Sequence, residues 1–123
     1  MKYNQQLNSQ IEKFKDYIII VEGKKDVNAL KLLGFSKTYA IHQVSISLKE
    51  RAEQIMREIK KKDKVCILTD FDKRGKQLYL NLKSIFNELG AHLDSTLRGM
   101  LLKARITHIE GIPKFIAQAE QNN

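Results

Sequence analysis

The sequence lacks the features that mark secreted and membrane proteins. Its 123 residues contain a single cysteine, Cys66, so a disulfide framework is excluded. No apolar run approaches the length of about 20 residues that spans a bilayer. The first 15 residues are polar, unlike the apolar stretch of a secretory signal peptide. We therefore expect a cytoplasmic protein.

Acidic residues are scarce relative to basic ones. The chain has 22 lysines and arginines against 14 aspartates and glutamates, which gives a formal net charge of +8. Such an excess favours a polyanionic partner, of which nucleic acid is the commonest, although lysine-rich surfaces also occur in proteins without one. No internal repeat, low-complexity segment or linker divides the chain, so we expect one domain over residues 1–123.

Short apolar runs alternate with helical stripes along the chain. The runs at 17–21 and 65–69 are rich in β-branched residues and typical of strands buried on both faces of a parallel sheet. Shorter strands are predicted at 38–41 and 91–93, and a last one at 106–109. Helical stripes lie at 7–14, 27–33, 48–59, 78–89 and 97–104. The alternation predicts an α/β domain with a mainly parallel sheet.

Two of the predicted strands run directly into acidic residues. Glu22 and Gly23 follow the first, and Asp70 and Asp72 follow the run at 65–69. In open α/β sheets, ligands bind beyond the carboxyl ends of the strands, and carboxylates that meet there repel each other unless a cation lies between them. Magnesium binds carboxylates and phosphate oxygens together, so Glu22, Asp70 and Asp72 form a candidate magnesium site. The alternative is that Glu22 and Asp72 only cap the helices that follow.

Both acidic strand ends lead into basic helix starts. The cations there are Lys24, Lys25, Lys73, Arg74 and Lys76. Positive charge at a helix N-terminus opposes the helix dipole at a cost of up to about 1 kcal/mol each, which a bound phosphate would offset. The pattern therefore indicates phosphate-binding side chains, or else ordinary surface lysines in a lysine-rich chain. Arg98 and Arg105, seven positions apart, are predicted to share a helical stripe that extends this basic track or forms a solvated helix edge.

The remaining polar residues suggest no further site. His42, His92 and His108 show none of the spacings typical of metal ligands, and the sequence predicts no metal-binding role for them. Glu110 follows a predicted strand and precedes a glycine, as Glu22 does. It is therefore either a further acid near the cluster or, as the following Pro113 favours, a first-turn acid of the last helix.

The stretches IIIVEGKKDVNAL and ILTDFDKRGKQL together resemble the Toprim domain. This domain occurs in DnaG-type primases, topoisomerases, OLD-family nucleases and the recombination mediator RecR. The resemblance covers residues 17–89 and is closest to small stand-alone prokaryotic Toprim proteins of the archaeal type. It implies a Toprim-like (Rossmann-like) α/β fold, with a mainly parallel four-stranded sheet flanked by helices on both faces.

The resemblance implies a role for each matching residue. Glu22 corresponds to the proposed general acid or base of the family. Asp70 and Asp72 correspond to its magnesium ligands. Gly23 matches the glycine beside which a phosphate approaches, and Gly75 matches the glycine of the DxDxxG motif.

One departure from the family pattern narrows the implied function. Topoisomerases carry an acid after that glycine, whereas this sequence has Lys76, and we expect no region with a catalytic tyrosine. The resemblance therefore implies Mg²⁺-dependent phosphodiester chemistry on RNA or DNA, by a nuclease or a primase-like nucleotidyl transferase, with Mn²⁺ as a substitute ion. The alternatives are a non-catalytic nucleic-acid-binding subunit of an RNA-processing or DNA-repair assembly, and a sensor of free nucleotides.

Overall fold

The apolar runs of the sequence become the strands of one sheet. The structure, a computed structural model, describes the backbone of residues 2–121 and the side chains of residues 7–118. The strands are β1 (Ile18–Val21), β2 (Thr38–Ala40), β3 (Lys64–Ile67) and β4 (His92–Leu93). The helices are α1 (Lys2–Ile11), α2 (Lys24–Leu32), α3 (Leu48–Glu58), α4 (Lys73–Glu88), α5 (Thr96–Lys103) and α6 (Ile112–Gln121). Two short 3₁₀ turns, Glu12–Phe14 and Ile109–Gly111, follow α1 and precede α6.

The two strands with the longest apolar runs lie at the centre of the sheet. The strand order is β2-β1-β3-β4, and every neighbouring pair is parallel. All four residues of β1 are buried, as expected for a strand covered on both faces. The predicted α/β fold with a four-stranded parallel sheet is therefore confirmed.

Helices cover both faces of the sheet and form two separate apolar clusters. Because successive residues of a strand point to opposite faces, Ile19 and Val21 pack in one cluster and Ile18 and Ile20 in the other. The first cluster contains side chains of α1, α2, α5 and α6, and the second contains side chains of α3 and α4. The prediction of helices on both faces is thus confirmed.

Local signals in the sequence mark several helix ends. The hydroxyl of Ser47 accepts a hydrogen bond from the backbone N–H of Glu50 at 3.1 Å and caps α3. Gly34 and Gly90 follow α2 and α4 with φ angles of +95° and +81°, the left-handed conformation in which glycine commonly ends a helix.

The strand predicted at 106–109 is wrong. Arg105 adopts a φ angle of +60°, and the chain then runs beside the loop after β3, where the backbone N–H of Phe71 donates to the carbonyl oxygen of Thr107 at 2.9 Å. Ile106 and Ile109 are buried, so their apolar pattern reflects packing against the core rather than pairing in the sheet. This irregular segment lies at the edge of the sheet where the acidic residues are.

The single cysteine is a core residue. The side chain of Cys66 is fully buried, and this burial raises the pKa of its thiol to about 12. It therefore behaves as a small apolar core residue. Among the described residues, no helix combines the length and the apolar character needed to cross a membrane.

Candidate functional site

The parallel pairing of β1 and β3 brings two acidic residues into contact. Ile20 of β1 is in register with Ile67 of β3, so both strands end at the same edge of the sheet. Glu22 follows β1, and its Oε2 accepts a hydrogen bond from the backbone N–H of Asp70 at 2.8 Å, across 48 positions of sequence. The two acidic strand ends therefore form one site.

The loop from Thr69 to Gly75 closes on itself at this site. The hydroxyl of Thr69 donates to the carbonyl oxygen of Gly75 at 2.7 Å, and the N–H of Gly75 donates to Oδ1 of Asp72 at 2.7 Å. Asp72 is thus the N-cap of α4. A Cβ atom on Gly75 would lie 2.1 Å from the carbonyl oxygen of Asp70, so the return of the chain here requires glycine. The glycine of the motif shapes the loop that holds both aspartates.

Three side chains present ligand atoms to a common space. Asp70, Asp72 and His108 each place one such atom within 4.8 Å of the others. Oδ1 of Asp70 accepts a hydrogen bond from the backbone N–H of Ile109 at 2.9 Å, and Oδ2 of Asp72 lies 3.7 Å from Nε2 of His108. In each aspartate, one carboxylate oxygen accepts a hydrogen bond from a backbone N–H, and the second oxygen can bind an ion. Two carboxylates and an imidazole are a donor set that fits a divalent metal ion.

Glu22 lies beside this donor group rather than within it. Within the described part of the chain, the group of ligand atoms inside 4.8 Å consists of Asp70, Asp72 and His108. The carboxylate of Glu22 is turned toward the N–H of Asp70. Glu22, which was also predicted as a metal ligand, therefore lies beside Asp70 and outside the group of ligand atoms.

Asp26 is an acid at this site that the sequence reasoning missed. Its side chain is 8% exposed, and its Oδ2 accepts a hydrogen bond from the backbone N–H of Gly23 at 3.1 Å. Burial raises the pKa of Asp26 against the opposing effect of that hydrogen bond, and the charges of Asp70, Glu22 and Glu110 raise it further. An aspartate three positions after an N-cap was the signal available for it. The concentration of negative charge is one that a bound cation would relieve.

Arg98 lies inside the protein. Its side chain is 8% exposed, and its Nη1 donates to the carbonyl oxygen of Thr69 at 2.7 Å. Its guanidinium carbon lies over two aromatic rings, 4.4 Å from the ring centroid of Phe71 and 4.1 Å from that of Tyr79. Burial lowers the pKa of Arg98, and the charges of neighbouring acids partly offset this. Arg98 therefore supports the aspartate loop from within, and it lies outside the exposed basic surface.

The helical stripe predicted for Arg98 and Arg105 is also wrong. Helix α5 ends at Lys103, and Arg105 follows it in the left-handed conformation with an exposed side chain. The two arginines consequently differ in both burial and backbone conformation. Arg105 lines a surface cavity of about 220 Å³ together with His108, so it lies near the donor group. The loop after α5 places it there, rather than a helical stripe shared with Arg98.

The other predicted cations lie where the sequence placed them. Helix α2 begins at Lys24 and α4 at Lys73, so both basic clusters occupy the first turns of helices that follow the acidic strand ends. The exposed residues are Lys24, Lys25, Lys73, Arg74 and Lys76. A Cβ atom on Gly23 would meet no other atom within 4 Å apart from its chain neighbours, so a side chain at this position is not obstructed. Exposed basic residues therefore follow both acidic strand ends, in the first turns of α2 and α4.

Comparisons with known proteins find relatives of similar sequence and a solved structure of similar fold. A UPF0292 protein of Methanosarcina barkeri is 31% identical over 106 residues, which cover 82% of this chain and 70% of that protein. A UPF0292 protein of Methanocaldococcus jannaschii is 33% identical over 101 residues, 79% of this chain and 77% of its own. The solved structure of a protein from Aquifex aeolicus superposes with a TM-score of 0.69 at 26% identity, and the match covers 86% of this chain and 94% of that one.

The family match includes both acidic strand ends. The family model of the Toprim domain matches residues 16–97, from the start of β1 through the aspartate loop and into α5. The archaeal relatives confirm the resemblance to small Toprim proteins of the archaeal type. The chain belongs to the Toprim domain family.

Proposed function

We propose that this protein performs Mg²⁺-dependent phosphodiester chemistry on RNA or DNA in the cytoplasm, as a nuclease or a primase-like nucleotidyl transferase. Membership in the Toprim family associates the chain with a metal-dependent, nucleic-acid-related function. The observation that carries the proposal is the convergence of Asp70 and Asp72 on one space, with Glu22 hydrogen-bonded beside them. Mn²⁺ is expected to substitute for Mg²⁺.

Each acid has a separate role in this proposal. Asp70 and Asp72 would hold the ion, which when bound polarises phosphate oxygens and offsets the charge that develops on them. Glu22 lies outside the donor group and beside Asp70, so we assign it the role of general acid or base. Arg98 keeps the loop of the two aspartates in place through the carbonyl of Thr69.

The exposed cations bind the phosphate backbone of the substrate. The proposed contacts are the backbone of Gly23 and the side chains of Lys24, Lys25, Lys73, Arg74, Lys76 and Arg105. The N-terminus of α2 is the proposed place for a phosphate, because its first backbone N–H groups belong to the exposed residues Lys24 and Lys25. Gly75 is not a proposed phosphate contact. The backbone of Asp70 occupies the position that a side chain at Gly75 would take, so this glycine shapes the loop.

Incubation with labelled single-stranded RNA and DNA tests the proposal. With Mg²⁺ or Mn²⁺ we expect shortened strands for a nuclease, or strands that lengthen only when nucleoside triphosphates are added and pyrophosphate is released, and neither product with EDTA. The paired change Asp70→Asn and Asp72→Asn should lower the rate by at least about a hundredfold, because the phosphate loses its metal. Asp16→Asn is the matched control, because this exposed acid precedes β1 at the opposite end of the strand.

A non-catalytic nucleic-acid-binding module is the second candidate function. The exposed cations at two helix starts and the net charge of +8 favour polyanion binding whether or not chemistry follows. Binding that weakens steeply with salt while the strands stay intact under every metal condition would favour this module and contradict the catalytic proposal.

A further inference from the structure

We infer that His108 is a third metal ligand and that the site consequently prefers Mn²⁺ to Mg²⁺. The inference rests on the proposed function, since it concerns the same ion held by Asp70 and Asp72. It assigns a role to a residue for which the spacing of the sequence predicts none.

The distance between His108 and Asp72 fits two ligands of one ion. Nε2 of His108 lies 3.7 Å from Oδ2 of Asp72, which is longer than a direct hydrogen bond of about 2.7–3.2 Å. Two adjacent ligands of an octahedral ion, each about 2.1 Å from it, lie about 3 Å apart. A small closure of the side chains therefore brings both atoms to coordination distance.

The other ring nitrogen of His108 has a partner of its own. Nδ1 lies 3.0 Å from the hydroxyl oxygen of Thr107. With a proton on Nδ1, this contact is a donated hydrogen bond, and the lone pair of Nε2 faces Asp72. Metal-binding histidines are typically oriented by such a contact at the nitrogen that does not bind the ion.

The backbone holds His108 at the site although its side chain is exposed. On one side, the carbonyl oxygen of Thr107 accepts from the N–H of Phe71 at 2.9 Å. On the other side, the N–H of Ile109 donates to Oδ1 of Asp70 at 2.9 Å. His108 lies between these two bonds, so the segment that carries it is tied to the residues that carry the aspartates.

An imidazole ligand changes which ion the site favours. Mg²⁺ prefers oxygen donors and retains several waters. Transition-metal ions accept imidazole nitrogen more readily, and Mn²⁺ also suits carboxylates. A set of two carboxylates and one imidazole therefore raises the affinity for Mn²⁺ relative to Mg²⁺.

Pulsed electron paramagnetic resonance of the Mn²⁺-loaded protein tests the inference. We expect a hyperfine coupling from a directly bound nitrogen in the unchanged protein, and its loss in His108→Ala. His92→Ala is the matched control: His92 is exposed and lies in β4 opposite Lys64, at the far end of the sheet, so the coupling should persist. His108→Ala should also weaken Mn²⁺ binding about tenfold and Mg²⁺ binding less than about threefold.

Two outcomes would overturn the inference, and they differ in what else they affect. Mn²⁺ bound without nitrogen coupling, and lost in the Asp70→Asn and Asp72→Asn protein, would remove His108 from the site and leave the proposed function intact. Failure of the unchanged protein to bind Mn²⁺ or Mg²⁺ would contradict both the inference and the proposed function.

Discussion

Gly75→Ala is expected to lower the free energy of unfolding by about 2–3 kcal/mol, the upper part of the range of about 1–3 kcal/mol for forcing an extra methyl group into a packed site. The added Cβ would lie 2.1 Å from the carbonyl oxygen of Asp70 and 2.6 Å from its carbonyl carbon. Because the obstacle is backbone, the loop must move, and Asp70 and Asp72 move with it. Urea denaturation measures the loss of stability, and calorimetric titration should show that Mg²⁺ binding is lost.

Gly23→Ala is the matched control for this change. A Cβ atom at Gly23 meets no other atom within 4 Å, and its φ angle of −145° is open to any residue. We expect its free energy of unfolding to stay within about 1 kcal/mol of the unchanged protein. Equal stability and equal metal affinity in Gly75→Ala would show that the loop does not close in the way described.

Glu22→Gln is expected to lower turnover by about 10²–10⁴-fold, the usual contribution of a general acid or base. The amide oxygen of glutamine still accepts the hydrogen bond from the N–H of Asp70, so the loop is preserved, but the group no longer exchanges a proton. Because Glu22 lies outside the donor group, Mg²⁺ affinity should change by less than about threefold. Single-turnover rates at saturating Mg²⁺, together with a calorimetric titration, separate the two effects.

Glu88→Gln provides the control for the loss of one carboxylate, since Glu88 is exposed at the end of α4. It should retain full activity. A loss of Mg²⁺ affinity in Glu22→Gln as large as that in the Asp70→Asn and Asp72→Asn protein would instead make Glu22 a metal ligand. Unchanged turnover would exclude it from the chemistry.

The sheet could be predicted from the sequence because its central strands are buried on both faces. The apolar residues of β1 and the apolar residues 65–67 of β3 are a local signal of that burial. Ile106 and Ile109 produce a similar signal from a segment outside the sheet, since their burial depends on tertiary packing and on the left-handed conformation of Arg105. The extent of a single domain over residues 1–123 stays a prediction.

The site was predictable where it follows strand ends and was missed where it depends on distant contacts. Glu22, Asp70 and Asp72 follow buried strands, so the topology of a parallel sheet is enough to bring them together. His108 reaches the same place on an irregular segment held by hydrogen bonds to Asp70 and Phe71, which no spacing reveals.

The spacing of arginines along a predicted helix was similarly misleading. Helical periodicity at Arg98 does not reveal the aromatic rings of Phe71 and Tyr79 that its guanidinium group contacts. Arg98 is buried because two other segments of the chain pack against it. Charge along the chain therefore overstates the exposed basic surface at this position.

Anomalous X-ray diffraction from crystals grown with Mn²⁺ would locate the ion. We expect an anomalous peak within bonding distance of one carboxylate oxygen of Asp70 and one of Asp72, with Glu22 beside it. Mn²⁺ that appears only elsewhere, or the same two carboxylates paired with Lys73 or Arg74 and no ion between them, would contradict this expectation.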